Sequence, residues 1–410
     1  MEYLHSSSLP VSKSEIQIFA IPPTQTAIES TYEVEYRPGA SLEQATSYEI
    51  DIPASEDFTD LASTYVHLLV NTTNGDGTAL AADKKVSTIE NFGNALFNQI
   101  DMILGSINTI KANNTYPYLS YIEDRLFKHR NNSDIGSEGY TDQDPRPCDM
   151  YFRLHLPMCT QDKLLINGVP LRFKFSKSLE DFVLMKRTDD GPFKVKFDKF
   201  SIFIKRVKLF PEAQKSIIMG LEKGPAKYFI TRNEVKTYSI SADQTSVAIE
   251  NVYSGSLPKR VLVGLVDDKA FTGSLASNPY EFKNFGVNYI ALSMDGIMIP
   301  SIPYQPNFSQ GQCMREFMCL YRYFNQDEGL PQIDISYADF KKDKTFFAFD
   351  LTPDGTIGAE TGTLSLVKRG HIRLDLKFAQ KLSSSIKVIV FAQFDNLITI
   401  DSDRKVFIDY

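Results

Sequence analysis

One segment of the chain, residues 88–128, comes back in degraded form about half a chain later, and that return limits the folds open to it. The first copy reads Glu90-Asn91-Phe92-Gly93, then a strand-like run Gln99-Ile100-Asp101-Met102-Ile103-Leu104 ended by Gly105, then Tyr116-Pro117-Tyr118 and an apolar-periodic run to Phe127. The second reads Lys283-Asn284-Phe285-Gly286, then Tyr289-Ile290-Ala291-Leu292-Ser293-Met294 closed by Asp295-Gly296, then Ile302-Pro303-Tyr304 and a run from Cys313 to Phe324. The Asn-Phe-Gly triplets lie 193 residues apart, and the strand-ending glycines Gly105 and Gly296 lie 191 apart. Short matches arise by chance, so the weight rests on the ordered series of loop, strand, glycine turn, proline and helix. It predicts two tandem copies of one domain, and 410 residues suffice for two.

Within each copy the periodicity is that of strands. Apolar and acidic residues alternate in Tyr48-Glu49-Ile50-Asp51-Ile52, while residues 65–70 are apolar nearly throughout and are expected to be covered on both faces. Asn74-Gly75-Asp76-Gly77 predicts a hairpin-type turn. Leu119, Ile122, Leu126 and Phe127 recur at helical spacing behind Pro117. Phe152, Leu154 and Leu156 are expected inward with Arg153 and His155 outward, and Leu171, Phe173 and Phe175 inward with Arg172 and Lys174 outward. Residues 197–209 carry a further strand or two. In the second half, 235–240, 246–252, 261–266, 287–294, 346–351, 371–378, 386–394, 397–400 and 405–410 read as strands. Phe and Tyr (29 and 20, with no Trp) suit such pleated, half-buried surfaces. Short strands with one helix per half predict an all-β chain of two tandem eight-stranded antiparallel jelly rolls, each with a short helix in a loop. The expected division is an N-terminal arm over 1–30, with Ile16-Gln17-Ile18-Phe19 as a docking strand before the Pro22-Pro23 break. A first jelly roll follows over 31–210, a helical connector over 211–226 and a second jelly roll over 227–410. Long turn-rich stretches fall at 129–149, 267–282 and 354–362.

The chemistry is sparse. A net charge of −7 argues against binding a nucleic-acid backbone through the whole surface. The first fifteen residues lack the apolar core of a secretory leader, and no stretch nears the ~18 apolar residues of a membrane span. Cys148, Cys159, Cys313 and Cys319 form no Cys-x-x-Cys pair and read as buried thiols of a reducing compartment. Asp189-Asp190 and Asp267-Asp268 read as solvated turns, and the 74–78 turn lacks the acidic residue a calcium loop needs twelve positions on. His371, Arg373 and Asp375 read as an outward polar face. The histidines are dispersed, and no nucleophile elbow or phosphate loop is present, so no cofactor, metal or catalytic residue is expected. One basic run stands out. Lys186, Arg187, Lys194, Lys196, Lys199, Lys205, Arg206 and Lys208 interleave with Phe193, Phe197, Phe200 and Phe203. As a strand it sets charge on one face and aromatics on the other: a solvated face over a core, or a basic patch toward packaged DNA or a neighbouring subunit. Such a chain reads as a structural protein whose function is its surface. The competing readings are a two-jelly-roll glycan-cleaving enzyme with carboxylates between the barrels, and a glycan-binding attachment protein.

Several segments resemble the double jelly-roll major capsid proteins of Polinton (Maverick) elements and adintoviruses, within the lineage of adenovirus hexon. The likeness runs from Ile16-Gln17-Ile18-Phe19-Ala20-Ile21-Pro22-Pro23 through Asp60-Leu61 to Asn91-Phe92 and Leu96-Phe97-Asn98-Gln99-Ile100-Asp101. It continues at Asn114-Thr115-Tyr116-Pro117-Tyr118, Gly168-Val169, Leu171-Arg172, Phe182-Val183-Leu184-Met185 and Ala226-Lys227-Tyr228, and closes at Phe394-Asp395-Asn396, Arg404-Lys405-Val406 and Asp409-Tyr410. Gly93 departs from the family's usual aliphatic and Gly105-Ser106 from its Asn-Gly type turn. The resemblance implies Pro22, Pro23, Asn91, Phe92, Gln99, Asp101, Tyr116, Pro117, Tyr118, Arg172, Asp409 and Tyr410 as structural positions, with no catalytic set. It also implies a homotrimer of pseudo-hexameric outline that tiles an icosahedral virion shell with penton and minor capsid proteins. Assembly would be in the host nucleus or cytoplasm, and packaged DNA a weak contact. The loops 129–149 and 267–282 are expected at the outer surface or as clasps between subunits.

Overall fold

The computed structural model describes residues 7–19, 21–43, 45–80, 86–109, 114–126, 147–186, 192–324, 333, 335–355, 364 and 366–409. Arg187, Asp189, Asp190, Tyr410 and most of the 129–149 loop lie outside the described residues.

In the first half, β1 (Ile28–Tyr36), β10 (Phe193–Leu209), β3 (Phe58–Asn74) and β7 (Cys148–Arg153) form one sheet in that order. The facing sheet runs β2 (Ser47–Ile52), β8 (Leu171–Lys177), β5 (Phe97–Leu104), β6 (Ile107–Asn108). A small ladder joins β4 (Val86–Thr88) to β9 (Leu184–Lys186). In the second half, β11 (Ala226–Ile240), β18 (Ile386–Ile400), β13 (Arg260–Asp267) and β16 (Phe346–Asp350) form one sheet, with β19 (Val406–Asp409) added to β18. The other runs β12 (Ser246–Ser256), β17 (Arg369–Phe378), β14 (Val287–Met294), β15 (Ile297–Tyr304). Every ladder is antiparallel. The eight strands of the two main sheets correspond between the halves. β1, β10, β3 and β7 correspond to β11, β18, β13 and β16, and β2, β8, β5 and β6 to β12, β17, β14 and β15. A helix, Tyr116–Leu126 or Met314–Phe324, follows β6 and β15. The chain is two tandem jelly rolls.

The repeat is one of framework rather than of each short match. Asn91 is left-handed (φ 52°) and starts the helix Phe92–Ala95, whereas in the second triplet Phe285 (φ 44°) and Gly286 (φ 70°) are. Tyr116-Pro117-Tyr118 opens a helix, but Ile302-Pro303-Tyr304 ends strand β15. The β5–β6 turn has positive φ at Gly105 alone, the pattern of a type II′ turn. At β14–β15 both Asp295 (φ 48°) and Gly296 (φ 85°) are positive, as in type I′. Both turns match strand twist, so Gly105-Ser106 closes the hairpin as well as an Asn-Gly pair would.

Other expectations need correction. Ile16-Gln17-Ile18-Phe19 forms no strand: a 3-10 turn covers Ser14–Ile16, and Ile18 and Phe19 are exposed. β1 begins at Ile28, inside the stretch assigned to the arm, and residues 386–400 are one unbroken strand. The helix Pro211–Lys223 is present as expected, with Pro at its first turn, Glu212 at its N-terminus and Lys223 at its C-terminus, each where sterics and the dipole favour it. β11 starts at Ala226, where the connector was expected still to run.

The cores explain which strands read as wholly apolar. One cluster fills the first barrel and continues into the second through Tyr228, Leu262, Val266, Phe346, Ile389 and Phe391. A second lies between the two sheets of the second barrel and takes Val261, Val263, Leu265, Val388, Val390 and Ala392. The central strands β18 and β13 are therefore buried on both faces over much of their length, and residues 261–266 are all buried. β3 is equally apolar in sequence but is covered on one face only. Val66, Leu68 and Val70 are buried, while Tyr65, His67 and Leu69 are half-buried. The double covering expected at 65–70 is thus realised in its counterpart β13. There Gly264 lets a ring approach: a Cβ would sit 2.5 Å from Phe282 Cδ1 and 3.0 Å from Phe346 Cε1. Gly264→Ala is expected to destabilise the chain by about 1–3 kcal/mol through overpacking, read as a lower urea midpoint at unchanged slope.

Candidate functional site

The part of the molecule richest in specific contacts is the seam between the barrels. Helix Tyr116–Leu126 presents Tyr118 and Tyr121 to the second barrel. The segment 267–282 reaches back with Phe271, Tyr280 and Phe282. Tyr121 stacks on Tyr280 with centroids 4.1 Å apart and planes at 5°, and Tyr118 stacks on Phe271 at 5.5 Å. Phe282 lies 4.4 Å from Phe346, and the Tyr280 hydroxyl donates to the Pro117 carbonyl at 3.2 Å. Burial pushes the Tyr118, Tyr121 and Tyr280 hydroxyls well above the ordinary tyrosine range, so they stay protonated. The 267–282 loop was expected at the outer surface or between subunits. It is instead a clasp within the chain, because its aromatic residues need a dry partner and the helix supplies one.

Beneath the aromatic stack sits a charged knot. His155 follows β7 and was expected to point outward with Arg153; only 4% of it is exposed. Its Nδ1 lies 2.7 Å from Glu123 Oε2 and its Nε2 3.2 Å from Asp124 Oδ1. Two ring nitrogens donating to two carboxylates require the imidazolium form. Burial pulls the His155 pKa down, but the Asp124 charge and hydrogen bond, then those of Glu123, outweigh it and raise the value to about 10. The second barrel joins in. Asn233 Nδ2 donates to Glu123 Oε1 at 2.6 Å, and Thr115 Oγ1 to the Val235 carbonyl at 3.2 Å. On the first-barrel side, the Tyr116 hydroxyl donates to Asn94 Oδ1 at 2.9 Å and accepts the His155 N–H, Asn94 donates to Asn91, and Asn91 donates to Ser120 Oγ at 3.1 Å. A cavity of about 30 Å³ beside the knot is lined by Gln99, Thr160, Thr231 and Asn233, far below the ~300 Å³ of an ordinary ligand pocket. Farther down, the Tyr228 hydroxyl donates to the Leu164 carbonyl, and Arg404 holds the Asn167 carbonyl and side chain.

The structure brings some of the sequence-derived positions together and scatters others. Asn91, Phe92, Tyr116, Pro117 and Tyr118 converge on the seam or directly behind it. Gln99 donates to Asp101 along β5 at 2.7 Å. Arg172 pairs with Asp51 across the β2–β8 ladder, an exposed contact. Pro22 and Pro23 are exposed in the arm, and Asp409 ends β19, its carbonyl accepting from Asn396. His155, Glu123 and Asp124 were not among these positions. Their signal was a histidine inside the apolar run Leu154-His155-Leu156 and two acids directly after Ile122 in an amphipathic helix.

The basic run does not form one charged face. Bulges after Phe197 and Phe203 shift its register, placing Phe203 outward and Arg206 inward, where it bonds Thr59 Oγ1 and the Pro53 carbonyl. Lys194 is exposed, while Lys196 pairs with Asp198, Lys199 with Glu35, Lys205 with Asp60 and Lys208 with Glu29. Acidic neighbours thus offset much of its charge. Asp267 caps the helix Asp268–Thr272 by accepting from the Lys269 N–H, and Asp268 pairs with Lys387, so this pair is a cap rather than a catalytic couple. Arg373 pairs with Asp375 and Glu250 on the outward face of β17. Among the described residues no cluster of His, Cys, Asp and Glu could hold a metal, and no helix is long and apolar enough to cross a membrane.

Two sandwiches of identical strand order, bolted through a shared core, define the class: a double jelly roll, the fold of large-virus and virophage capsid proteins. No family model matches the sequence. An uncharacterized protein of Caenorhabditis elegans is 21% identical over 389 residues, 87% of this chain and 91% of its own length. The Vp54 protein of the virus PBCV-1, fitted into a reconstruction of the virophage Sputnik, superposes with a TM-score of 0.61 at 9% identity, covering 96% of this chain and 99% of that one. The mavirus major capsid protein does so with a TM-score of 0.55 at 9% identity, covering 100% and 97%.

Proposed function

We propose that the chain is a major capsid protein that trimerises into pseudo-hexameric capsomers and tiles an icosahedral shell. The observation that carries this reading is the duplication. Three copies of two equivalent barrels give a ring with six nearly alike sides, which packs on a surface, and the buried seam joins each pair of barrels. The full-length likeness to the mavirus major capsid protein supports it. The sequence resemblance supports placing the chain with the Polinton/Maverick–adintovirus type. Penton and minor capsid proteins would be the further partners and the virion its location, after assembly in the host nucleus or cytoplasm. The offset charges of β10 favour a neighbouring subunit over packaged DNA as what that strand meets. The test is the mass of the purified chain by light scattering. The expected species is three times the 46.3 kDa chain, six-lobed by electron microscopy. A strict monomer at every concentration up to the millimolar range defeats the reading.

A further inference from the structure

Inside one copy, the outer face of β11-β18-β13-β16 meets the first barrel through the helix that follows β6. Phe391, Leu262 and Phe346 are buried there, and Asn233 and Val235 bond to Glu123 and Thr115. The corresponding face of the first barrel, on β1-β10-β3-β7, has no such cover among the described residues, yet it carries an aromatic patch. Tyr65 faces Phe203 and Arg153 across its ladders, and His67 faces Ser201 and Tyr151. Tyr65 and Tyr151 stack at 4.6 Å with planes at 8°, and Phe203 packs 5.8 Å from Tyr151, which is 41% exposed. An aromatic patch on the solvent side of a sheet is the composition of an interface core.

We infer that this face receives the second barrel of another copy, through β15 and the helix Met314–Phe324. The inference rests on the capsomer reading and names its contact surfaces. The strand correspondence selects the occupant: the covering helix within the chain follows β6, and its counterpart is the helix after β15. Among the described residues that side exposes large apolar groups. Ile302 is 68% exposed, Met314 51% and Met318 55%. Met314 and Met318 share a helix face, and Arg315 ties that helix to β15 by donating to the Ile302 and Pro303 carbonyls. Exposed Arg322 on the helix and exposed Glu33 at the rim of the aromatic sheet are of opposite sign. The contact is heterologous, so repeating it around three copies closes a ring in which every barrel is covered in the same way.

Tyr151→Asp on the sheet and Met318→Asp on the helix test it, with Tyr151→Ser and Met314→Asp as milder second variants and Arg373→Asp as a control on a different outer face. Circular dichroism melting first establishes that each variant is folded. Wild type and the control are expected to run as three-chain species. Each interface variant is expected to fall to one chain with at least a tenfold weaker association. A mixture of Tyr151→Asp and Met318→Asp chains keeps one intact pair of surfaces and is expected to stop at two chains. If wild type is a trimer and the folded variants remain trimers, this interface is wrong and the capsomer reading stands. If wild type is a monomer throughout, both fall.

Discussion

Tyr280→Ala is expected to cost about 3–5 kcal/mol, the penalty of deleting a buried aromatic, and to uncouple the two barrels. Tyr280 is 2% exposed, stacks face to face on Tyr121 and sends its hydroxyl to the Pro117 carbonyl. Its removal leaves a void where a segment of the second barrel lies on a helix of the first. Because one apolar cluster runs through both barrels, wild type should unfold in a single transition; the variant should show two, or one markedly broadened. Tyr121→Ala should behave alike. The double variant should lose at least ~0.5 kcal/mol less than the sum of the singles, since both remove the same stack. Strict additivity with an unchanged single transition in urea would mean that the stack does not couple the barrels.

His155→Gln is expected to be the most pH-dependent of the seam variants. The imidazolium compensates two buried carboxylates, and removing one partner of a buried charged set costs about 3–5 kcal/mol. The folded-state pKa of about 10 stands above the ordinary 6.5. A raised folded pKa means that the stabilisation is fully present below pH 6.5 and is lost progressively as pH rises through about 10. Wild type should therefore be far more stable than His155→Gln at pH 6, and the two should approach each other near pH 10. The groups facing His155 are Glu123 and Asp124 on the helix, the Tyr116 hydroxyl at its backbone, and Asn233 behind Glu123. Asn233→Ala should be milder, since it removes a neutral donor. Urea titrations at four pH values give the comparison, and a difference between wild type and His155→Gln that does not vary with pH rules out the charged knot.

Much of the fold was legible because strand periodicity is local. Leu171, Phe173 and Phe175 alternate with Arg172 and Lys174 as read, and β14 spans Val287–Met294 as read. Misreadings occurred where a local rule met a tertiary exception. β15 carries Pro300 and Pro303, which argue against a strand interior but are tolerated on the sheet edge it occupies. β1 has a largely exposed sequence of Glu, Ser and Thr and is held by its ladder to β10. Ile16-Gln17-Ile18-Phe19 has the alternation of a strand but no strand partner among the described residues, and an unpaired strand does not persist.

The amino-acid order alone determined the alternation that makes sheets, the turn residues that end them, and the doubling of the domain, because each depends on residues a few positions apart or on one pattern written twice. The tertiary structure decided the rest. His155 reads outward by alternation and is turned inward because Glu123 and Asp124, some thirty positions earlier, supply the charges that make its burial tolerable. The 267–282 loop reads as a surface excursion and becomes a clasp because Tyr121 lies beneath Tyr280. Equally apolar strands, β3 and β13, end in different surroundings because only one of them has the other barrel against its outer face. Burial depends on the partner across a gap, and no window along the chain contains both sides of it.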